Sequence, residues 1–127
     1  MRLDELAMTI EGETLVRGAR SDLQIEYAYA ADLLSDVLSL AEGEDRTTLV
    51  TGMINPQVMR MAEILSIAAV IVVRGKLPPQ SMVEYAQELG IPLLTTRKTM
   101  FETCGLMFAH GVSPCQTKPV HDIRDHQ

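Results

Sequence analysis

Two short apolar runs place the strongest limit on how this chain can fold. Ala69–Val73 reads Ala-Val-Ile-Val-Val, and Ile91–Thr95 is a second run of the same kind. Short continuous runs rich in β-branched residues are typical of strands that are buried on both faces. Because both faces of such a sheet must be covered, the two runs predict a parallel sheet held between two layers of helices.

Helical and strand-like patterns alternate along the rest of the 127 residues. Helices are predicted over residues 3–10, 33–41, 56–66, 82–89 and 99–109, and further strands at Glu13–Arg17, Ile25–Ala31 and Thr47–Thr51. The length is close to the commonest size of one domain. We therefore predict an α/β fold: a single three-layer domain over residues 1–115, with a mostly parallel sheet covered by helices on both faces. Residues 116–127 are polar and predict a flexible C-terminal tail.

Charge and composition exclude several classes of partner. The chain has 11 basic and 17 acidic residues and a net charge of −6, so it predicts no binding of a nucleic-acid backbone or an anionic membrane. No run reaches the roughly 18 apolar residues that a membrane span needs. Only two cysteines and a charged start without a signal-peptide pattern predict a cytoplasmic location.

Motifs that would carry catalysis are missing. The chain has neither a GxxxxGK[ST] loop nor a GxGxxG motif. Ser35, Ser66 and Ser81 lie in no nucleophile-elbow context, and His110 is the only histidine before the tail. The sequence therefore predicts a protein that is not an enzyme.

A loose series of metal-ligating residue types occupies the C-terminal part: Cys104, His110, Cys115, His121 and His126. Their spacings do not match those of structural zinc sites. Cys104 lies among apolar residues of a predicted helix, where a cysteine is usually a small buried hydrophobe. We predict no metal site and no cofactor.

Small, polar and basic residues follow the predicted strands. Ligands of open parallel sheets bind beyond the carboxyl ends of the strands, and helix N-termini there attract anions. The candidate residues for an anion are Thr51, Gly52, Asn55, Arg74, Gly75, Lys76, Thr95 and Thr96, with Asp32, Ser35 and Asp36 as further members of the edge. Arg97 and Lys98 would add two more cations. Glycines and cations also end strands in domains that bind nothing, so the pattern leaves both interpretations open.

Surplus apolar residues follow the first core strand. They are Met53, Ile54, Met59 and Met61. A cluster of this kind favours a contact with another protein, while burial against the N-terminal segment is the alternative. We predict these four residues as an interface, most simply in a homodimer.

Three segments resemble the DRTGG domain family in their order and spacing. They are Thr51-Gly52, Val72-Val73-Arg74-Gly75-Lys76-Leu77-Pro78-Pro79 and Gly90-Ile91-Pro92-Leu93-Leu94-Thr95-Thr96. Residues 31–38 resemble the small stand-alone members, and the likeness covers about residues 22–110. The resemblance implies an α/β fold similar to the N-terminal domain of HPr kinase/phosphorylase. It also implies a regulatory, ligand-sensing dimerisation module without established catalytic activity.

The chain departs from the family pattern at two loops. Met53-Ile54-Asn55 follows Gly52, where the family commonly has Asp-Arg after the glycine, and Arg74-Gly75-Lys76 replaces Thr-Gly-Gly. The two added cations favour an anion such as a phosphate-bearing or nucleotide ligand. The sequence thus predicts a non-catalytic regulatory or interaction domain that associates with itself or with a partner enzyme. An enzyme, or the regulatory subunit of one, acting on a phosphorylated or nucleotide substrate is the alternative.

Overall fold

A six-stranded sheet forms the centre of the protein in a computed structural model, which describes residues 1–38 and 45–115. The strands are β1 (Glu13–Val16), β2 (Tyr27–Ala30), β3 (Thr47–Thr51), β4 (Ala69–Val72), β5 (Leu93–Thr95) and β6 (Ser113–Pro114). The helices are α1 (Leu3–Thr9), α2 (Leu34–Val37), α3 (Pro56–Ile64), α4 (Gln80–Leu89) and α5 (Met100–Ala109). The predicted α/β fold class is confirmed.

The strand order brings four carboxyl ends to one edge of the sheet. The order is β1-β5-β4-β3-β2-β6, and every neighbouring pair is parallel except β1 with β5. The ends of β2, β3, β4 and β5 therefore lie side by side, and we call this edge the strand-end rim. Since β1 is antiparallel, its first residue, Glu13, pairs with Thr95 at the same edge.

Both faces of the sheet are buried, as the two apolar runs require. Along β4 and the next residue, Val70 and Val72 pack in one core cluster, whereas Ile71 and Val73 pack in the other. The first cluster lies under α3 and α4, and the second includes residues of α1 and α5. Continuous hydrophobicity in these strands thus follows from two cores that share one sheet.

Helix boundaries follow the predicted capping chemistry. The Asn55 side chain accepts a hydrogen bond from the backbone N–H of Gln57 at 3.0 Å, with Pro56 as the first residue of α3. Gly90 ends α4 in the left-handed conformation at φ +70°. Thr99 and Glu102 form a capping box at the start of α5, because each side chain accepts the other's backbone N–H.

Other predicted boundaries differ from the structure. The α2 helix ends at Val37, whereas the apolar stripe predicts a helix to residue 41, and residues 39–44 lie outside the described residues. The β6 strand was not predicted because a serine and a proline carry no strand pattern. The predicted tail, 116–127, also lies outside the described residues. No helix within 1–38 or 45–115 is long and apolar enough to cross a membrane.

The capping box gives a first prediction. Thr99→Ala removes the hydroxyl that accepts the N–H of Glu102 at 3.2 Å, and it should lower the free energy of unfolding by about 1 kcal/mol in urea titrations. Ser81→Ala is the control, because Ser81 is exposed in α4 and should change stability by less than about 0.5 kcal/mol. Equal stability of Thr99→Ala and the wild type would contradict the role of the cap.

The same cap should depend on pH. Hydrogen bonds from Thr99 lower the pKa of Glu102 below its ordinary value of 4.5. A carboxyl with a lowered folded-state pKa stabilises the fold above the unfolded-state value, and this stabilisation is lost as the pH falls through the folded-state pKa. The stability difference between the wild type and Glu102→Ala should therefore shrink below pH 4.5. A difference that stays constant down to pH 3 would show that the charge of Glu102 plays no part.

Candidate functional site

The backbone of Gly52 joins two charged side chains at the strand-end rim, through the N–H of one peptide group and the carbonyl of the next. Its N–H donates a 2.6 Å hydrogen bond to Oδ1 of Asp32, which follows β2. Its carbonyl accepts a 2.8 Å hydrogen bond from Nζ of Lys76, which follows β4. Gly52 itself directly follows β3. Three neighbouring strand ends are therefore held together by charge-assisted hydrogen bonds.

The absence of a side chain at Gly52 lets these charged groups approach the backbone. A Cβ there would lie 3.1 Å from Oδ1 of Asp32, 3.3 Å from Nη2 of Arg74 and 3.6 Å from Nζ of Lys76. All three polar atoms thus lie within 4 Å of one point. Because any Cβ would crowd them, glycine is the residue that fits this position.

The turn after β4 is held in an unusual backbone conformation. Arg74 and Gly75 are both left-handed, with φ +64° and +68°. The N–H of Arg74 donates to the carbonyl of Lys98 at 2.8 Å, and that of Gly75 donates to the carbonyl of Thr96 at 2.9 Å. A left-handed arginine costs energy that glycine would not. Such strain is concentrated at functional sites in proteins.

A groove of about 560 Å³ opens beside this turn. Its lining comes from the turns after β4 and β5 and from the start of β1, and includes Gly75, Lys76, Thr95, Arg97, Glu11 and Glu13. Lys98 also lines the groove and pairs with Glu11 at 2.9 Å, and this contact raises the pKa of Lys98. Arg74 and Arg97 make no ion pair within the described part of the chain.

The rim is positive although the chain as a whole is acidic. Its cations are Arg74, Lys76, Arg97 and Lys98, and its carboxylates are Asp32, Glu11 and Glu13. The cations outnumber the carboxylates, against a net charge of −6 for the whole chain. An anion that enters the groove therefore meets an excess of donors with positive charge.

Several predicted ligand residues have structural partners instead. The hydroxyl of Thr51 accepts the N–H of Met53 at 3.1 Å, and the side chain of Asn55 caps α3. The Thr96 hydroxyl is buried, donating to the carbonyl of Ile10 at 2.8 Å and accepting from the N–H of Lys98. These three side chains shape the loops of the rim, and Thr96 also lines the groove together with Gly75, Lys76 and Thr95. The guanidinium of Arg74 lies beside Gly52.

The predicted additional members of the rim are placed in two ways. Asp32 contacts Gly52 directly. Ser35 and Asp36 lie on α2 with exposed side chains, and the carbonyl of Asp36 accepts a hydrogen bond from the hydroxyl of Tyr29. Glu11 was missed, because its place at the rim depends on the antiparallel pairing of β1.

The predicted apolar interface is mostly inside the protein. Met59 has no exposed area and belongs to the core under α3, so the prediction that it contacts a partner is wrong in this fold. Met53, Ile54 and Met61 are half-buried and pack against that same core. The surplus of apolar residues after β3 reflects the depth of the core on this face.

The cysteines and the described histidine do not form a cluster. Burial raises the pKa of the Cys104 thiol, and Cys115 is half-buried against the core. Nδ1 of His110 lies 2.7 Å from the carbonyl of Leu106. Within the ranges that the structure describes, no group of three acidic, cysteine or histidine residues could hold a metal. His121 and His126 lie outside those ranges.

Comparison with known proteins identifies a related fold. No protein-family model matches the chain, and no curated protein matches it. A solved structure is similar: the CBS and DRTGG domains of the regulatory region of Clostridium perfringens pyrophosphatase, in complex with the activator diadenosine tetraphosphate. The TM-score is 0.70 at 17% sequence identity, covering 98% of this chain and 56% of that one. The chain thus spans little more than half of the compared structure, and the likeness shows a shared fold.

The strained turn gives a prediction that separates backbone from side chain. Arg74→Ala keeps a side chain at φ +64°, whereas Arg74→Gly relieves the conformation. Arg74→Gly should therefore be more stable than Arg74→Ala by about 1 kcal/mol in chemical denaturation. Equal stabilities would show that residue 74 carries no backbone strain.

Proposed function

We propose that this protein is a non-catalytic regulatory domain that binds a phosphate-bearing or nucleotide ligand at the strand-end rim. The observation that carries the proposal is the approach of Arg74 and Lys76 to one point above Gly52. A guanidinium can bind phosphate oxygens through two parallel hydrogen bonds, and an ammonium adds a point charge beside it. The adjoining groove, at about 560 Å³, has the size of small-molecule sites.

The similar structure supports the same class of function. It comes from the regulatory region of an enzyme and was crystallised with a nucleotide activator. For this chain we propose the same class of function: a regulatory domain whose ligand carries phosphate groups. We also propose that residues 22–110 form a domain of the DRTGG family.

The proposal extends to assembly and location. We infer a homodimer that acts in the cytoplasm and that regulates a partner enzyme. A regulatory domain needs a second surface through which binding is communicated, because a ligand changes an equilibrium only through different affinities for two states.

Ligand binding gives the central prediction. Arg74→Ala should weaken binding of pyrophosphate or diadenosine tetraphosphate by roughly 10- to 150-fold in calorimetric titrations, since a charge-assisted hydrogen bond contributes ~1.5–3 kcal/mol. Arg74→Lys should recover little of this loss, because an ammonium cannot donate two parallel hydrogen bonds. Arg74→Gly should lose as much affinity as Arg74→Ala, although its fold is more stable.

Two controls make the result specific. Arg60→Ala removes an equal charge from the exposed side of α3 and should leave the affinity unchanged. Adenosine, which has no phosphate, should not bind at the concentrations where the phosphorylated compounds do. Failure of the wild type to bind any of the phosphorylated compounds would contradict the proposal.

The alternative function is an enzyme that acts on the same class of ligand. It predicts release of phosphate, or transfer of a phosphoryl group, when the purified protein is incubated with the compound that it binds. Within the described rim, carboxylates such as Glu11 and Asp32 are each engaged in a structural contact. Turnover abolished by Arg74→Ala would replace the regulatory proposal with this one.

A further inference from the structure

Both phenylalanines of the chain lie exposed on one helix. Phe101 and Phe108 on α5 have 87% and 70% of their surface exposed, in a protein with only 4% aromatic residues. Large aromatic side chains are enriched in protein interfaces and scarce on other surfaces. Neither residue belongs to the strand-end rim, so ligand binding at the rim does not explain their exposure.

A glycine lies between them on the same outer face of α5. Gly105 is four residues after Phe101 and three residues before Phe108, so the three share one side of the helix. A Cβ at Gly105 would meet nothing within 4 Å. Glycine inside a helix is unfavourable, and nothing within the described fold requires it there. Close approach of another helix would require it.

The outer face carries almost no charge. The only acidic or basic side chain of α5 is Glu102, and it is held by Thr99 at the start of the helix. Two copies of a chain with a net charge of −6 repel one another. Self-association is therefore least opposed where two uncharged surfaces meet.

An apolar pocket of about 170 Å³ lies beside Phe108. Its lining includes Cys104, Met107, Ala28, Ala30 and Pro114. A cavity of about 150 Å³ with apolar walls can hold benzene, so this pocket has room for a phenyl ring. The ring of Phe108 is already part of its wall, which leaves Phe101 as the exposed ring that could enter it from another copy.

We propose that α5 is the homodimer interface, with the α5 helices of two copies crossing antiparallel at Gly105. An antiparallel crossing at this residue brings Phe101 of each copy opposite Phe108 of the other. Each Phe101 ring then fills the pocket beside Phe108, and the same contact occurs twice about a two-fold axis. This inference rests on the homodimer proposed above and adds the surface that forms it.

The mass of the full chain in solution tests the proposal. The wild type should scatter light as a particle of twice the 14.0 kDa chain mass at micromolar concentration. Phe101→Asp and Gly105→Leu should each raise the dimer dissociation constant about 30-fold or more, as loss of a central contact does. Gly105→Leu is informative because space around Gly105 allows the larger side chain in a folded monomer, as circular dichroism would show.

A matched control and a reciprocal variant make the geometry specific. Leu77→Asp places the same charge at a residue 83% exposed on another surface and should leave the dimer intact. Phe108→Lys alone should dissociate the dimer. Phe101→Asp combined with Phe108→Lys should raise the dissociation constant by less than the product of the two single effects, because the antiparallel crossing places the two introduced charges opposite each other.

The possible results distinguish the α5 interface from the homodimer itself and from ligand binding at the rim. A monomeric wild type would overturn both the dimer and its α5 interface, while pyrophosphate binding would still test the rim. A dimer that persists in Phe101→Asp and Gly105→Leu would overturn the α5 interface and leave the homodimer. Effects of the two substitutions that simply multiply in the double variant would overturn the antiparallel crossing.

Discussion

Burial of β3, β4 and β5 on both faces is the constraint on which the rest of this structure depends. Strands covered on both sides have no solvent-facing side chains, so polar chemistry can be placed only where the strands end. The parallel arrangement gathers those ends at one edge of the sheet. The same burial requires α1 and α5 on one face and α3 and α4 on the other. The gathering of charged residues at the rim is a consequence of this architecture.

The rim combines rigidity with unused binding capacity. The N–H and the carbonyl of Gly52 hold Asp32 and Lys76 in place, while the backbone N–H of the left-handed Arg74 is bonded to the carbonyl of Lys98. Within the described residues its guanidinium makes no ion pair, so it contributes little to stability. Under the proposed function a ligand accounts for its position, because backbone strain of this kind is concentrated at functional sites.

The sequence was most informative where chemistry is local. The strand Thr47–Thr51, a strand over Ala69–Val73 (observed as Ala69–Val72) and the caps at Asn55 and Thr99 were predicted, because their patterns depend on neighbouring residues. Contacts distant in sequence were not. Nothing local indicates that Glu11 reaches Lys98, that Thr96 is bound to Ile10, or that Met59 is fully buried. The prediction that Met59 contacts a partner was wrong for that reason: the sequence shows a surplus of apolar residues, but not what covers them.

The α5 helix connects the two proposed surfaces. Lys98 lines the groove at the rim, Thr99 caps the helix, and Phe101 begins the face that we assign to self-association. A ligand that draws Lys98 away from Glu11 therefore acts three residues from the first interface side chain. Since coupling between two binding equilibria is reciprocal, a ligand that tightens the dimer must itself bind more tightly to the dimer than to the monomer. In the proposed function, recognition would therefore lie at one end of α5 and association along its side.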